Sequence, residues 1–354
     1  MTKIPLLGKT LDELKSIVEE LQMPTFTAKQ ISEWIYKKRA TQVDQMSNLS
    51  IKNRALLDDK YTIGCSKPIQ VAESNDGTKK YLFKTDDGHF IETVFIPDED
   101  RGTLCVSSQV GCKMDCSFCM TGKQGFSAQL SATEILNQVL SVPESEQLTN
   151  IVFMGMGEPF DNLLAMLRSL DILTSDYGLA MSPRRITISS IGIIPGMKIF
   201  LEKSSCHLAI SLHSPFPDER LRLMPIQKTY PITKVIEELK KYDFSKQRRV
   251  SFEYIVFDGL NDSMRHAVEL VKLLRGIHCR VNLIRYHAIP GVDLKSSVHE
   301  KMIFLRDYLT NNGIQATVRR SRGEDIFAAC GMLSTIEKQK QKIKESEIDH
   351  LHEN

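Results

Sequence analysis

The cysteine-rich stretch at residues 105–122 decides how the rest of the chain is interpreted. It reads Cys-Val-Ser-Ser-Gln-Val-Gly-Cys-Lys-Met-Asp-Cys-Ser-Phe-Cys-Met-Thr-Gly and holds four of the eight cysteines of the chain. Cys112, Cys116 and Cys119 form a CxxxCxxC array, and Cys105 stands seven residues upstream. Thiolates bind soft metals, and a short loop can wrap three of them around one centre. The array therefore predicts a metal site.

The number of cysteines in the array limits which metal centres it can hold. A structural zinc site takes four ligands and an ordinary ferredoxin cluster takes four cysteines, whereas three thiols leave one position open. The CxxxCxxC spacing on a loop after a strand resembles the signature of the radical S-adenosylmethionine enzymes. That resemblance implies one 4Fe-4S cluster whose fourth iron is chelated by the amino and carboxylate groups of S-adenosylmethionine. A zinc site completed by Cys105 or by a distant histidine is the alternative.

Length and composition are those of an ordinary globular protein. The 354 residues fit one large domain and a small one, and 42% hydrophobic and 25% charged residues support a full core. A net charge of +2 does not by itself indicate a nucleic-acid partner. Basic residues nevertheless cluster at 37–39, 184–185, 248–249 and 319–322, which permits an RNA-facing patch as well as solvated surfaces.

The sequence carries no targeting or membrane signal. The N-terminal residues have no apolar signal core, and no stretch approaches the length of a membrane span. The cysteines do not form the pattern of a secreted disulfide framework. We therefore expect a cytoplasmic protein with no membrane partner.

Local patterns divide the chain into four parts. Residues 1–65 predict a helical accessory module that binds RNA, with helices capped at Thr10 and Thr27. Residues 66–102 predict a β-hairpin linker, since NDG at 75–77 and DDG at 86–88 are turn signals. Residues 103–320 predict the core, and residues 321–354 a C-terminal loop followed by a charged tail.

A carboxylate lies in the second strand of this hairpin. Phe90, Glu92, Val94 and Ile96 alternate with other residues and therefore share one face of the strand. A buried glutamate among apolar neighbours can serve as a general base. Pattern alone favours the simpler alternative, a strand residue that faces solvent.

Six strand–helix repeats after Thr103 predict an α/β fold, a partial (β/α)6 barrel with a small N-terminal helical domain and a β-hairpin extension. In such folds the chemistry lies at the C-terminal ends of the strands. Glycine, acidic, hydroxyl and imidazole residues stand at these ends together with the cysteine loop. They are Gly157-Glu158, Ser189-Ser190, Ser211-Leu212-His213 and His287.

Several separate motifs resemble a single family. They are the array between Cys105 and Gly125, the segments 155–159, 182–185, 211–213 and 224–226, and the ending from Arg322 to Cys330-Gly331. Together they resemble the radical S-adenosylmethionine adenine methyltransferases of RNA, the RlmN/Cfr type, over nearly the whole chain. The pairing of the AACG ending with the cysteine array is highly specific.

The resemblance implies two uses of S-adenosylmethionine in each turnover. One molecule methylates the thiolate of Cys330, and a second is split by the cluster to a 5′-deoxyadenosyl radical. That radical takes a hydrogen from the S-methyl group, and the carbon radical adds to an adenine carbon. Cys105 then resolves the thioether link and leaves a transient disulfide with Cys330. Glu92 matches the general base of the family.

The resemblance also implies the residues that contact the cofactor. These are Gly157, Glu158, Ser189, Ser211, Leu212, His213 and His287, with Cys112, Cys116 and Cys119 as ligands of the cluster. His287 departs from the family, which usually has Asn at this position. An imidazole can replace an amide as a hydrogen-bond donor, so the position remains part of the predicted site.

The predicted substrates are RNA adenines. One branch of the family methylates carbon 2 of adenosine 2503 in 23S rRNA and of adenosine 37 in some tRNAs, and another methylates carbon 8 of the ribosomal base. Glu158-Pro159 is typical of the carbon 2 branch. The expected partners are 23S rRNA, tRNA and an electron donor such as flavodoxin or ferredoxin, and we expect a monomer. A non-catalytic RNA-binding protein stabilised by a cluster or zinc, and a radical enzyme with another substrate, are the competing hypotheses.

Overall fold

Alternating strands and helices build one open sheet in the computed structural model of the chain. The structure describes residues 3–246, 248–329, 331–333 and 335. The strands are β1 (Ile4–Pro5), β2 (Tyr61–Thr62), β3 (Gln70–Glu73), β4 (Lys79–Lys84), β5 (Phe90–Asp98), β6 (Arg101–Cys105), β7 (Gln109–Gly111), β8 (Phe126–Gln129), β9 (Leu148–Phe153), β10 (Ile186–Ser190), β11 (His207–Ser211), β12 (Val250–Val256), β13 (Cys279–Arg285) and β14 (Gln315–Val318). The helices are α1 (Leu11–Glu20), α2 (Thr27–Ser32), α3 (Ile51–Lys60), α4 (Met120–Gln124), α5 (Ala132–Ser141), α6 (Leu163–Thr174), α7 (Ile194–Lys203), α8 (Pro217–Leu223), α9 (Ile232–Leu239), α10 (Met264–Leu274) and α11 (His299–Asn311).

The main sheet has the order β14-β13-β12-β11-β10-β9-β6-β5-β4-β3 among the described residues. Seven strands pair in parallel, in the order β6, β9, β10, β11, β12, β13 and β14. Strands β5, β4 and β3 continue the sheet beyond β6 and pair antiparallel. The two edge strands, β14 and β3, do not pair with each other, so the sheet stays open. The predicted partial α/β barrel is confirmed, and the predicted hairpin strands lie in the same sheet as the core.

The parallel strands form the centre of the hydrophobic core. Ile188, Ile210, Phe252 and Leu283, one from each of four neighbouring strands, have no solvent exposure. Parallel strands are covered by helices on their outer side and therefore carry long apolar runs. Within the described part of the chain, none of the helices combines the length and the apolar character that crossing a bilayer would require.

The N-terminal module begins with a well-capped helix. The side chain of Thr10 accepts from the amide of Glu13, whose own carboxylate accepts from the amide of Thr10, as the predicted cap requires. The predicted cap at Thr27 is wrong, because α2 starts after Phe26 without a side-chain cap. The helix continues as a π-helical turn at Glu33–Lys37.

Strand β6 ends earlier than the sequence predicts. The alternation of Thr103, Cys105 and Ser107 predicts a strand from Thr103 to Gln109, but β6 stops at Cys105 and Gln109 begins β7, which pairs with β8. The amide side chain of Gln138 explains the break. It accepts from the Ser107 amide at 2.8 Å and donates to the Ser107 carbonyl at 2.9 Å, so these backbone groups need no partner strand.

A glycine fixes the entrance of the cysteine loop. Gly111 has φ +75°, and a Cβ there would stand 1.7 Å from the carbonyl oxygen of Gly125. Both the left-handed backbone and the close approach require glycine at this position.

Gly111→Ala should destabilise the protein more than Gly276→Ala. Gly276 has φ +86° with nothing within 4 Å of a Cβ, so its substitution adds only the cost of a left-handed alanine, about 1–2 kcal/mol. Gly111→Ala adds the clash with Gly125 to that cost. Urea unfolding of the two variants measures the difference, and equal losses of stability would contradict the close approach.

Candidate active site at the carboxyl ends of the strands

The cysteine loop is held by backbone hydrogen bonds from three directions. The amide of Cys112 donates to the carbonyl of Gly125 at 3.0 Å, and the amide of Ser117 donates to the carbonyl of Leu223 at 2.9 Å. The first amide of α4 donates to the carbonyl of Gly331 at 2.8 Å. The loop is therefore anchored to its own return strand, to α8 and to the C-terminal segment.

The three cysteines line a shared cavity of about 150 Å³, which we call the cysteine cavity. The predicted cofactor residues Gly157, Glu158, Ser189, Ser211 and His213 line the same cavity, as does Gly331. Leu212 does not line it and is buried behind it. The structure thus brings the predicted cluster ligands together with five of the seven predicted cofactor contacts.

Cys116 is buried and Cys112 and Cys119 are partly buried, and the three thiols lie close enough to repel one another when ionised. Burial raises the pKa of Cys112 to about 12. Burial also raises the pKa of Cys116, and the neighbouring Cys119 and Cys112 sulfurs act in the same direction. A soft cation that displaces these protons would offset both costs, because metal ligands bind as thiolates.

The donor set of the cysteine cavity fits a 4Fe-4S cluster with S-adenosylmethionine. Among the residues that the structure describes, no three His, Cys, Asp or Glu side chains are grouped closely enough to hold one metal ion. A cluster makes a different demand, since each thiolate binds a separate iron atom. Glu253 also lines the cavity, and its buried Oε2 atom accepts no hydrogen bond within the described part of the chain, although the guanidinium of Arg319 lies 3.7 Å from it. An acceptor with only this longer contact suits a hydroxyl or ammonium donor of a ligand.

Glu158 is oriented by the backbone of two neighbouring segments. Its two carboxylate oxygens accept from the amides of Phe160 and Ile191, each at 3.0 Å. Burial raises the pKa of Glu158 to about 7, although these donors oppose the shift. The side chain of Ser190 also hydrogen-bonds to this carboxylate, which leaves about one of its four acceptor positions open. Glu158 can therefore still accept from an ammonium group in the cavity, as the sequence predicts.

His213 enters the cavity as a neutral imidazole. Its Nδ1 atom accepts from the amide of Ile255 at 3.0 Å, which leaves the proton on Nε2. Burial, aided by the positive charge of Arg220, lowers the pKa of His213 to about 3. Asn261 holds the turn by donating to the His213 carbonyl at 2.6 Å, where φ is +56°. The Nε2 proton is thus available to a ligand acceptor.

Arg220 is a buried cation next to the cysteine loop. Its guanidinium has no solvent exposure and donates to the carbonyls of Ile191, Ser211 and Leu212 at 2.9, 3.0 and 3.2 Å. Burial lowers its pKa to about 10, while the Cys116 sulfur favours the charged form. Arg220 therefore joins the ends of β10 and β11 and places a positive charge beside the predicted cluster.

A second cavity of about 310 Å³, which we call the arginine cavity, adjoins the first. Met154 and Ile284 line both cavities. Its charged lining within the described residues consists of one carboxylate and five arginines, which are Asp98 and Arg101, Arg285, Arg319, Arg320 and Arg322. Cys105, the last residue of β6, also lines it. This cavity suits a ligand that is larger and more anionic than the first would hold.

His287 lies in the arginine cavity, apart from the other predicted cofactor contacts. Its Nε2 atom is 3.2 Å from the hydroxyl of Ser321, and its Nδ1 atom is 3.3 Å from a carboxylate oxygen of Glu324. The position therefore faces Cys105 and the C-terminal loop. Its predicted contact with the cofactor stays a prediction.

Glu92 is buried, with 7% of its surface exposed, so the solvent-facing alternative is wrong. Val94 pairs with Cys105 across β5 and β6, which makes Glu92 a diagonal neighbour of Cys105, about 7–8 Å between Cα atoms. Cys330 lies outside the described residues. Its neighbours fall on both sides of the boundary between the cavities, since Ala329 lines the arginine cavity and Gly331 the cysteine cavity.

Sequence reasoning missed Arg220, Glu253 and Lys80, which forms a 3.0 Å ion pair with Glu92. Glu253 lies inside an apolar strand, and a charged residue at such a position was a usable signal. Arg220 and Lys80 lie on a helix and a strand that carry other charges, so only the packing distinguishes them.

Comparison with known proteins agrees with this geometry. The Radical SAM superfamily model matches residues 106–292, and the model of the ribosomal RNA large subunit methyltransferase N-terminal domain matches residues 4–63. A protein of Phocaeicola vulgatus named probable dual-specificity RNA methyltransferase RlmN is 62% identical over 340 residues, 96% of this chain and 97% of its own length. The dual-specificity RNA methyltransferase RlmN of Desulfotalea psychrophila is 40% identical over 96% of this chain and 97% of its own.

The fold is also shared with a solved structure. A radical SAM methyltransferase from Sphaerobacter thermophilus superimposes with a TM-score of 0.88 and 41% identity, over 93% of this chain and 99% of that one. Because relatives of this identity cover nearly the whole chain, it belongs to the radical SAM superfamily and, within it, to the RlmN family of RNA methyltransferases.

Proposed function

We propose that this chain methylates carbon 2 of adenosine 2503 in 23S rRNA and of adenosine 37 in tRNAs. The relatives from Phocaeicola vulgatus and Desulfotalea psychrophila are named dual-specificity RNA methyltransferases. The N-terminal match, to a domain of ribosomal RNA large subunit methyltransferases, also supports an RNA substrate. Glu158-Pro159, which is typical of the carbon 2 branch, favours that target atom over carbon 8.

One observation carries the proposal, namely the shared wall between the two cavities. The cysteine cavity holds the donor set for a cluster and its cofactor, and the arginine cavity holds Cys105 among five cations. A nucleotide in the arginine cavity would therefore lie beside the place where a radical is generated. Proximity of this kind is what a short-lived radical requires, because it must meet its target before it meets solvent.

Membership of the radical SAM superfamily implies one 4Fe-4S cluster and S-adenosylmethionine, which when bound supply a 5′-deoxyadenosyl radical and the methyl group. Cys112, Cys116 and Cys119 would hold the cluster. Glu158 and His213 would orient the cofactor through the lone pair and the Nε2 proton that the fold leaves available.

Three residues of this chain would handle the methyl group and the protons. Cys330, as a thiolate, is the nucleophile that accepts a methyl group from the sulfonium. Glu92 would take the proton that leaves the adenine carbon. Cys105, as a thiolate, would attack the Cys330 sulfur, so that an S–S bond forms as the C–S bond breaks. The departing carbon would keep the electron pair of that bond and take up a proton, which completes the methyl group on the nucleotide.

The arginine cavity supplies the electrostatic attraction that RNA binding needs. Guanidinium groups pair with phosphates through two parallel hydrogen bonds and stack on bases. Arg285 and Arg320 are exposed at the mouth of the cavity, whereas Arg322 pairs with Asp98 at 3.1 Å. We assign phosphate binding to the first two.

The remaining parts of the proposal concern partners and location. We assign RNA docking to the N-terminal module at 1–65 and delivery of the electron to a flavodoxin or ferredoxin. We place the catalytic cysteine on the segment 321–354 and the radical chemistry on the core at 103–320, with residues 66–102 as the linking hairpin. The protein acts as a monomer in the cytoplasm.

The reconstituted enzyme should form 2-methyladenosine in both RNAs. The assay supplies 23S rRNA fragments or tRNA, S-adenosylmethionine and reductant, and mass spectrometry of the digested RNA identifies the nucleoside. Cys116→Ala, which removes one thiolate, is the control without product. A product of 8-methyladenosine would assign the chain to the other branch, and the absence of methylated RNA with a verified cluster would overturn the proposal.

Cys105→Ala should stop the reaction after the nucleotide is attached to the protein. The resolving thiol is then missing, so an RNA–protein species should persist on a denaturing gel. Cys206→Ala is the matched control, because Cys206 is a buried core cysteine at the amino end of β11, whereas Cys105 lies at the carboxyl end of β6. Complete turnover by the Cys105 variant would exclude this thiol as the resolving group.

Replacing Arg285 and Arg320 by Ala should weaken binding of all RNA sequences alike. Each lost phosphate contact should reduce the slope of log affinity against log salt concentration by about 0.7–0.9. Arg275→Ala serves as the control, since Arg275 is exposed just after α10, on the segment that leads to the amino end of β13, whereas Arg285 lies at its carboxyl end. Filter binding at several salt concentrations measures the slopes, and an unchanged slope in the double variant contradicts the assignment.

A further inference from the structure

The turn between β3 and β4 holds the loop that leads to Cys330. The amide of Gly323 donates to a carboxylate oxygen of Asp76 at 3.0 Å. The hydroxyl of Ser74 and the amide of Asn75 donate to the carboxylate of Asp325 at 2.5 and 3.2 Å. We call these residues, 74–76 with 323 and 325, the loop clamp. It connects segments that are about 250 positions apart in the sequence.

Lys80 extends this connection into the site. Its ammonium group is 3.0 Å from a carboxylate oxygen of Glu92 and donates to the carbonyl of Phe327 at 3.3 Å. Only 16% of the Lys80 side chain and 9% of the Glu92 side chain are exposed. Phe327 stands three positions before Cys330. One cation therefore contacts both the predicted base and the loop that carries the predicted nucleophile.

Strand register places these groups on one face of the sheet. Lys80 pairs with Val94 across β4 and β5, and Val94 pairs with Cys105 across β5 and β6. Residues that pair directly across antiparallel strands point to the same side. Lys80, Val94 and Cys105 thus form a row on that side, and Glu92 is the diagonal neighbour of both Lys80 and Cys105. The C-terminal loop covers the same face through Phe327.

We propose that Lys80 is a positioning residue that aligns the Glu92 carboxylate and the Cys330 loop with Cys105. This inference rests on the proposed function for the roles of those three residues. The two acceptors on Lys80 explain why a cation whose side chain is only 16% exposed stands at this position. A neutral side chain would remove the Lys80 ion pair from the Glu92 carboxylate and would release the carbonyl of Phe327.

The variant Lys80→Met tests the loop contact without cluster, cofactor or RNA. Hydrogen exchange of the amides in 323–329 should be about 10- to 100-fold faster, since hydrogen bonds to charged groups contribute at that scale. Lys79→Met is the matched control. Lys79 precedes Lys80 on β4 and pairs at 3.1 Å with the buried Glu144, a residue outside the site. Its removal should leave exchange in 323–329 unchanged.

The rate of RNA methylation distinguishes a positioning role of Lys80 from a purely structural ion pair. Lys80→Met should lower the single-turnover rate of RNA methylation about 10-fold or more while RNA affinity stays constant, because the lost contacts hold reacting groups and not the substrate. Lys80→Arg keeps the charge and should restore most of the rate. Lys79→Met should keep both the rate and the affinity.

A double variant covers the case in which Lys80→Met fails to fold. Lys80→Met with Glu92→Gln removes both charges of the pair, and exchange in 323–329 should still be fast because the Phe327 carbonyl has lost its donor. Equal exchange in the Lys80 and Lys79 variants would overturn the loop contact. A normal methylation rate in Lys80→Met would overturn positioning. The two proposals can also fail separately. If the wild-type protein methylates no RNA but Lys80→Met still accelerates exchange in 323–329, the proposed function is refuted and the loop contact is supported.

Discussion

The buried guanidinium of Arg220 is the interaction on which the cofactor side of the molecule depends. Moving a cation out of water costs several kcal/mol unless its donors are satisfied, and here three backbone carbonyls from the ends of β10 and β11 satisfy them. The amide of Ile191, one of those carbonyl residues, in turn donates to Glu158. The positions of the Arg220 guanidinium, of the ends of β10 and β11 and of the Glu158 carboxylate therefore depend on one another. The negative charge that a cluster and its thiolates bring would stabilise this cation further.

The order and pairing of the strands determine which functional residues lie next to one another. Its parallel strands bring the cysteine loop, Glu158, Ser211 and His213 to one edge, as strand–helix folds do. Its antiparallel extension brings Glu92 beside Cys105 through the pairing of β5 with β6. The two halves of the sheet meet at β6, and the two cavities share Met154, which follows β9, and Ile284 of β13. A radical generated in the cysteine cavity and a nucleotide held in the arginine cavity would therefore lie close to each other.

The C-terminal segment completes both cavities from outside the sheet. It contributes Arg322 to the arginine cavity, it anchors the first turn of α4 through Gly331, and it is tied to β4 by Lys80 and the loop clamp. Apolar packing holds it as well, since Ala328, Ala329, Met332 and Leu333 are buried. In the proposed function, the cysteine of this segment would have to reach first a cofactor and then a nucleotide.

Spacing and periodicity in the sequence by themselves determined the cysteine array, the alternation of strands and helices, the open α/β fold and the residues at the strand ends. These signals are local, since three thiols within eight positions and a capping box at Thr10 and Glu13 need no distant partner. Only the tertiary structure decided that Glu92 is buried, that β6 stops at Cys105, that His287 faces the arginine cavity, and that Lys80, Arg220 and Glu253 belong to the site. Each of these facts depends on contacts between residues far apart in the chain, such as Gln138 with Ser107 and Lys80 with Phe327. Strand pairing and burial select such contacts, and no local pattern encodes them.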